Sequence, residues 1–78
     1  MNRLAAVAAV DAAIELGLHG EQKFQAAEGA LNREGVIYSS PGSVDATHKK
    51  CRNELRKHAG YPVLLTLFIE AINERPDQ

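Results

Sequence analysis

The chain has 78 residues, a net charge of -1 and a single cysteine, Cys51. A chain of this length forms one domain and buries only about 60% of the surface that its unfolded form exposes, and one cysteine excludes the internal disulfide that reinforces many small domains. No apolar run approaches the roughly 20 residues of a bilayer span, and a single cysteine fits a reducing compartment, so we expect a soluble cytoplasmic protein. The few aromatic residues argue against stacking on nucleic-acid bases.

The first predicted helix covers residues 3–18 and ends near Gly17. Large apolar residues recur there at helical spacing, and most of the other positions are alanine, the residue with the highest helix propensity. These large residues are Leu4, Val7, Val10, Ile14 and Leu18. We interpret this segment as the first helix of the fold and not as a signal peptide, because the helical period continues beyond the seven-residue apolar run.

The second predicted helix covers residues 21–33 and has a weaker pattern. Gly29 lies inside it and costs about 1 kcal/mol relative to alanine. Residues 34–43 form a predicted loop that contains a short β-prone run at 36–39. That run is compatible with one extended strand, but the chain has no second run to pair with it.

The third predicted helix covers residues 44–59. Ser40, which precedes Pro41, and Ser43 are both suited to cap its N-terminus. Gly60 is suited to end it.

The fourth predicted helix covers residues 62–74, and a frayed tail follows at 75–78. Its apolar arc spans about 200°, roughly twice what a surface helix needs, so the sequence predicts either the central helix of the core or a helix packed against a second chain. The residues of this core or oligomer interface are Leu64, Leu65, Leu67, Phe68, Ile69 and Ile72.

Positive charge is concentrated in the third helix. Residues 45–58 contain five basic and two acidic residues and sum to +3, whereas the rest of the chain sums to -4. On a helical wheel the basic residues face away from the apolar side, and they are the predicted partner-binding residues. These residues, with a neighbouring asparagine, are Lys49, Lys50, Arg52, Asn53, Arg56 and Lys57.

His48 and Cys51 are spaced as two metal ligands or a thiol and its base on one helical face. A structural zinc site needs two more ligands, and His58 lies about 10 Å further along the helix than Cys51. Cys51 also lies on the apolar side, where burial raises the pKa of a thiol and lowers its reactivity. We therefore interpret His48 and Cys51 as core residues and expect no metal, no cofactor and no catalytic residue.

The sequence thus predicts an all-α, single-domain bundle of three to four short helices. We expect a noncatalytic regulator, adaptor or inhibitor of bacterial or phage type that binds a macromolecular partner, such as an acidic protein, through its basic helix. A homodimer is expected through the fourth helix or the alanine-rich first helix, although both helices also suit the core of a monomer.

The alternative is a DNA-binding regulator that contacts phosphates through the same basic helix. An overall pI near 6.3 argues against nucleic acid, since domains that bind it are usually basic as a whole.

Overall fold

Four helices account for most of residues 2–74, the part of the chain that the computed structural model describes. They are α1 (Asn2–Glu15), α2 (Gly20–Arg33), α3 (Pro41–Leu55) and α4 (Tyr61–Asn73). The all-α prediction is confirmed, and no strand occurs within the described residues. The predicted tail at 75–78 lies outside them.

Glycines in the left-handed conformation end the first two helices. Gly17 has φ +86° and Gly35 has φ +85°, and in each case the next residue donates its N–H back to the helix, from Leu18 to Ala13 at 3.0 Å and from Val36 to Leu31 at 2.8 Å. This is the Schellman arrangement, which only glycine adopts without strain. It ends α1 at Glu15, three residues before the predicted end.

The third helix is displaced toward the N-terminus relative to its prediction. The Ser40 side chain accepts a hydrogen bond from the Ser43 N–H at 3.3 Å, and Pro41 occupies the first turn, so α3 begins three residues earlier than predicted. It also ends at Leu55, four residues earlier. Gly60 is not its C-terminal stop but the N-cap of α4, with φ -82°.

The central helix of the bundle is α1. Every residue from Leu4 to Ala13 is buried, and α1 packs against each of the other three helices. Of the two interpretations of the broad apolar arc of α4, the central helix of the core is therefore wrong. The alanine-rich face of α1 is covered by other helices of the same chain, which is the monomer-core alternative that the sequence left open. The physical reason is that alanines on all sides let three neighbours approach closely, as expected for a helix that is apolar all round.

The other helices surround α1 unevenly. α2 contacts both α3 and α4, whereas α3 and α4 hardly contact each other. They therefore lie on opposite flanks of the α1–α2 pair, and the residues 56–60 connect them across α1. Within the described residues, no helix combines the length and hydropathy needed to cross a membrane.

Candidate functional site

A buried carboxylate ties the connection between α3 and α4 to the middle of α1. Asp11 is 8% exposed, and four hydrogen bonds reach its two oxygens. Oδ1 accepts from Arg56 Nη2 at 2.7 Å and lies 2.8 Å from His48 Nε2. Oδ2 accepts from Arg56 Nε at 2.8 Å and from the Tyr61 hydroxyl at 2.5 Å.

This network follows from the character of α1. Asp11 is the only charged residue between Leu4 and Ala13, and it lies in a helix that is buried on every side. A carboxylate transferred from water to such a site costs several kcal/mol unless it is paired and hydrogen-bonded. The bidentate guanidinium, the imidazole and the phenol together supply that compensation.

The network also changes the protonation equilibria of its members. Burial alone raises the pKa of the Asp11 carboxyl, but the hydrogen bonds from Arg56, His48 and Tyr61 outweigh burial and hold that pKa well below its ordinary value. Burial and the hydrogen bond to the Asp11 carboxylate raise the pKa of Tyr61 to about 12. Asp11 and Arg56 are therefore a charged pair across the neutral pH range, and Tyr61 is a neutral hydrogen-bond donor.

Arg56 is consequently not part of a uniform basic stripe. The sequence places it on the outward side of the helix, and its side chain is 43% exposed. Its guanidinium nevertheless turns back to Asp11 with two hydrogen bonds. The long side chain of arginine makes this possible, because its stem can run along the protein surface while the head group reaches a buried acid.

The remaining predicted binding residues form a continuous exposed surface on α3 and the turn that follows it. We call this set the α3 basic surface. It consists of Lys49, Lys50, Arg52, Asn53 and Lys57, all of them exposed.

Few of these cations have a partner among the residues that the structure describes. Lys49 Nζ lies 3.9 Å from Asp45 Oδ2, a distance and exposure at which an ion pair contributes little. Within residues 2–74, Lys50, Arg52 and Lys57 form no ion pair. Since Asp11 already matches Arg56, the remaining charges of residues 45–58 are four exposed cations against the half-buried Asp45 and the exposed Glu54.

The structure does not pair the two residues that resemble a chemical site. His48 is 4% exposed and bonds to Asp11, in agreement with its interpretation as a core residue. Cys51 is half-buried and lines a concavity of about 630 Å³ with His58 and Glu54. No hydrogen bond joins Cys51 to either histidine, and the described residues contain no group of three or more metal-ligating side chains.

The predicted core or oligomer residues of α4 divide into three groups. Phe68 and Ile72 are buried in the core of the single chain. Leu64, Leu65 and Ile69 pack against that core and are partly buried. Leu67 is 37% exposed, and Val63, which the interface prediction omits, is 71% exposed.

Sequence reasoning missed Asp11 and Tyr61 as members of the polar network. A signal for Asp11 is present in the sequence, since one acid within a helix that is apolar all round must find a buried partner. Tyr61 carries no comparable signal, because its contact with Asp11 depends on the path of residues 56–60 across α1. Searches of protein-family models, curated proteins and solved structures return no match to this chain.

Proposed function

We propose that this chain is a noncatalytic binding module, acting as a regulator, adaptor or inhibitor, whose α3 basic surface docks against an acidic surface of a protein partner. The observation that carries the proposal is the concentration of four exposed cations on α3 and the turn that follows it, in a chain with net charge -1. The fold uses Arg56 to neutralise Asp11, whereas no carboxylate within residues 2–74 pairs with Lys50, Arg52 or Lys57.

A protein partner is favoured over nucleic acid by the charge outside this surface. Residues beyond 45–58 sum to -4, so a long polyanion that extends past α3 meets repulsion from the rest of the molecule. A protein with a local acidic patch meets only the α3 basic surface. Complementary patches of this kind set the specificity and association rate of protein complexes.

Charge reversal on this surface tests the proposal. The double variant R52E/K57E leaves the Asp11 network intact, because neither side chain contacts it. We expect it to retain the wild-type circular dichroism spectrum and to weaken the partner complex about tenfold to a hundredfold. The partner is first captured with the immobilised wild-type chain and identified by mass spectrometry, and its affinity for each variant is then measured by calorimetry.

The matched control is R3E/K23E, which makes the same change in net charge at positions outside α3. We expect it to bind with nearly wild-type affinity. Equal loss of affinity in both double variants would show that only net charge matters and would contradict the proposal. Binding of generic duplex DNA at low salt, with a steep decline as salt increases, would favour the DNA-binding alternative instead.

A further inference from the structure

The guanidinium of Arg56 has a second edge that takes no part in the Asp11 network. A guanidinium carries five N–H donors, and Asp11 engages one on Nε and one on Nη2. The two N–H groups of Nη1 and the second one of Nη2 make no hydrogen bond within residues 2–74. One N–H of Nη1 and one of Nη2 point the same way and form a second fork, which matches the two oxygens of a carboxylate.

Arg56 also lines a concavity of about 210 Å³ between the end of α1 and the start of α4. Its apolar part consists of Ile14, which is 44% exposed, and the half-buried Leu65. The Tyr61 hydroxyl, which also lines it, already donates to Asp11. The volume is below the roughly 300–1,000 Å³ of sites for small-molecule ligands, so it suits one or two side chains of a protein better than a cofactor.

We propose that Arg56 and this concavity bind a carboxylate side chain of the partner, an aspartate or glutamate that adjoins an apolar residue. The carboxylate accepts hydrogen bonds from Nη1 and Nη2 of Arg56, and the apolar residue packs on Ile14 and Leu65. Arg52 lies one helical turn before Arg56 on the same side of α3, so the site adjoins the α3 basic surface. The identity of the ligand as the partner's side chain rests on the proposed function.

Arg56 is held in place before binding, unlike the lysines of the α3 basic surface. An exposed lysine loses rotamer freedom when a partner immobilises it. The hydrogen bonds from Arg56 to Asp11, at 2.8 and 2.7 Å, already fix the guanidinium in the folded chain, so binding costs Arg56 less conformational entropy. Arginine and tyrosine are also enriched among the residues that dominate the energy of protein interfaces, and both line this concavity.

The pairing with Asp11 leaves a positive end at the surface. Asp11 is 8% exposed and the Arg56 side chain is 43% exposed, so the dipole of the pair directs its positive end outward. Glu15 opposes this effect, because it is exposed and lines the same concavity, and within residues 2–74 it forms no ion pair with Arg56. A phosphate carries more negative charge than a carboxylate and would meet stronger repulsion from Glu15.

Titration with isovalerate, a carboxylate with a branched apolar tail, tests the site without the partner. We expect a saturable shift of the Arg56 side-chain N–H signals in the NMR spectrum of the isotope-labelled full chain, at constant ionic strength. The dissociation constant should be in the millimolar range, since one fork and a small apolar contact carry the binding. Isovaleramide has nearly the same shape without the charge, and we expect it to bind about tenfold more weakly.

Substitution of Glu15 provides a test that does not disturb the Asp11 network. Glu15→Gln removes a like charge from an exposed position, so it should bind isovalerate about twofold to fivefold more tightly. Glu34→Gln is the matched control, because Glu34 is exposed and does not line the concavity. It should bind isovalerate like the wild type.

Arg56→Lys removes the fork and keeps the charge. We expect it to bind isovalerate about tenfold more weakly than the wild type, because an ammonium group cannot pair with a carboxylate in two parallel hydrogen bonds. The circular dichroism spectrum checks that this variant is folded, since Arg56 also pairs with Asp11. If it does not fold, the comparison of Glu15→Gln with Glu34→Gln decides the question.

Three results would overturn the carboxylate site. The first is the absence of a saturable shift of the Arg56 signals with isovalerate, and the second is equal binding of isovalerate and isovaleramide. The third is weaker binding of isovalerate by Glu15→Gln than by the wild type, because Glu15 would then assist the ligand and not repel it.

The captured partner tests whether the site serves the proposed function. We expect Glu15→Gln to strengthen the partner complex about twofold to fivefold and Arg56→Lys to weaken it about tenfold. Weaker binding by R52E/K57E with no change in either of these variants would support the proposed function and overturn the role of Arg56 in it. Saturable isovalerate binding together with wild-type partner affinity in R52E/K57E would support the carboxylate site and contradict the proposed function.

Discussion

Asp11 is the residue on which the arrangement of three helices depends. Its carboxylate receives hydrogen bonds from His48 of α3, from Arg56 of the connection and from Tyr61 of α4. α3 and α4 hardly contact each other, so this network fixes the connection between them where helix packing does not. A buried carboxylate is thus retained at a position that alanine would fill at lower desolvation cost.

Asp11→Asn should lower the free energy of unfolding by about 2 to 3 kcal/mol. The amide removes the charge that balances Arg56, and its NH₂ group faces donors in place of an acceptor. The loss is limited because Arg56 is 43% exposed and can turn toward water. Urea denaturation measures the change, and Lys57→Ala serves as the control, since an exposed side chain beside Arg56 should change stability by less than about 0.5 kcal/mol.

The acid dependence of stability separates the charge of Asp11 from its packing. The folded-state pKa of Asp11 lies below its ordinary value of 3.8. The stability that the ionised carboxylate adds to the folded state is therefore complete above that value and is lost as the pH falls through the folded-state pKa. The unfolding free energies of the wild type and Asp11→Asn should therefore approach each other below about pH 4. A constant difference between the two curves would mean that the carboxylate charge contributes nothing.

At the level of the helices, two glycines should respond in opposite directions to the same substitution. Gly29 lies inside α2, and an added Cβ meets only the Arg33 guanidinium at 3.7 Å, so Gly29→Ala should raise the unfolding free energy by about 0.5 to 1 kcal/mol. Gly17 has φ +86°, so Gly17→Ala should lower it by about 1 kcal/mol despite open space around it. Urea midpoints at constant m-value measure both, and a change of the same sign would contradict this account.

The helices and their order were predictable from the sequence because their signals are local. Helical spacing, Gly17, Gly35 and the Ser40–Pro41 pair all act within a few residues of the element that they delimit. The centre of the bundle was not predictable in the same way. A broad apolar arc suggests a central α4, but alanine on every side of α1 permits closer packing, and the choice between them depends on how all four helices fit together.

The candidate site was only partly predictable for the same reason. Exposure of Lys49, Lys50, Arg52, Asn53 and Lys57 follows from the helical wheel of α3 alone. The withdrawal of Arg56 from that surface depends on an acid 45 residues away in the chain, and a wheel for one helix contains no information about it. Long-range polar pairing is therefore where sequence reasoning about this chain fails.

At the scale of the whole molecule, exposed positive charge is concentrated on one flank. The α3 basic surface lies on one side of the α1–α2 pair, and the exposed acidic residues Glu70 and Glu74 lie with α4 on the other. The α3 basic surface is therefore the part of the molecule that an acidic partner would meet, as the proposed function requires.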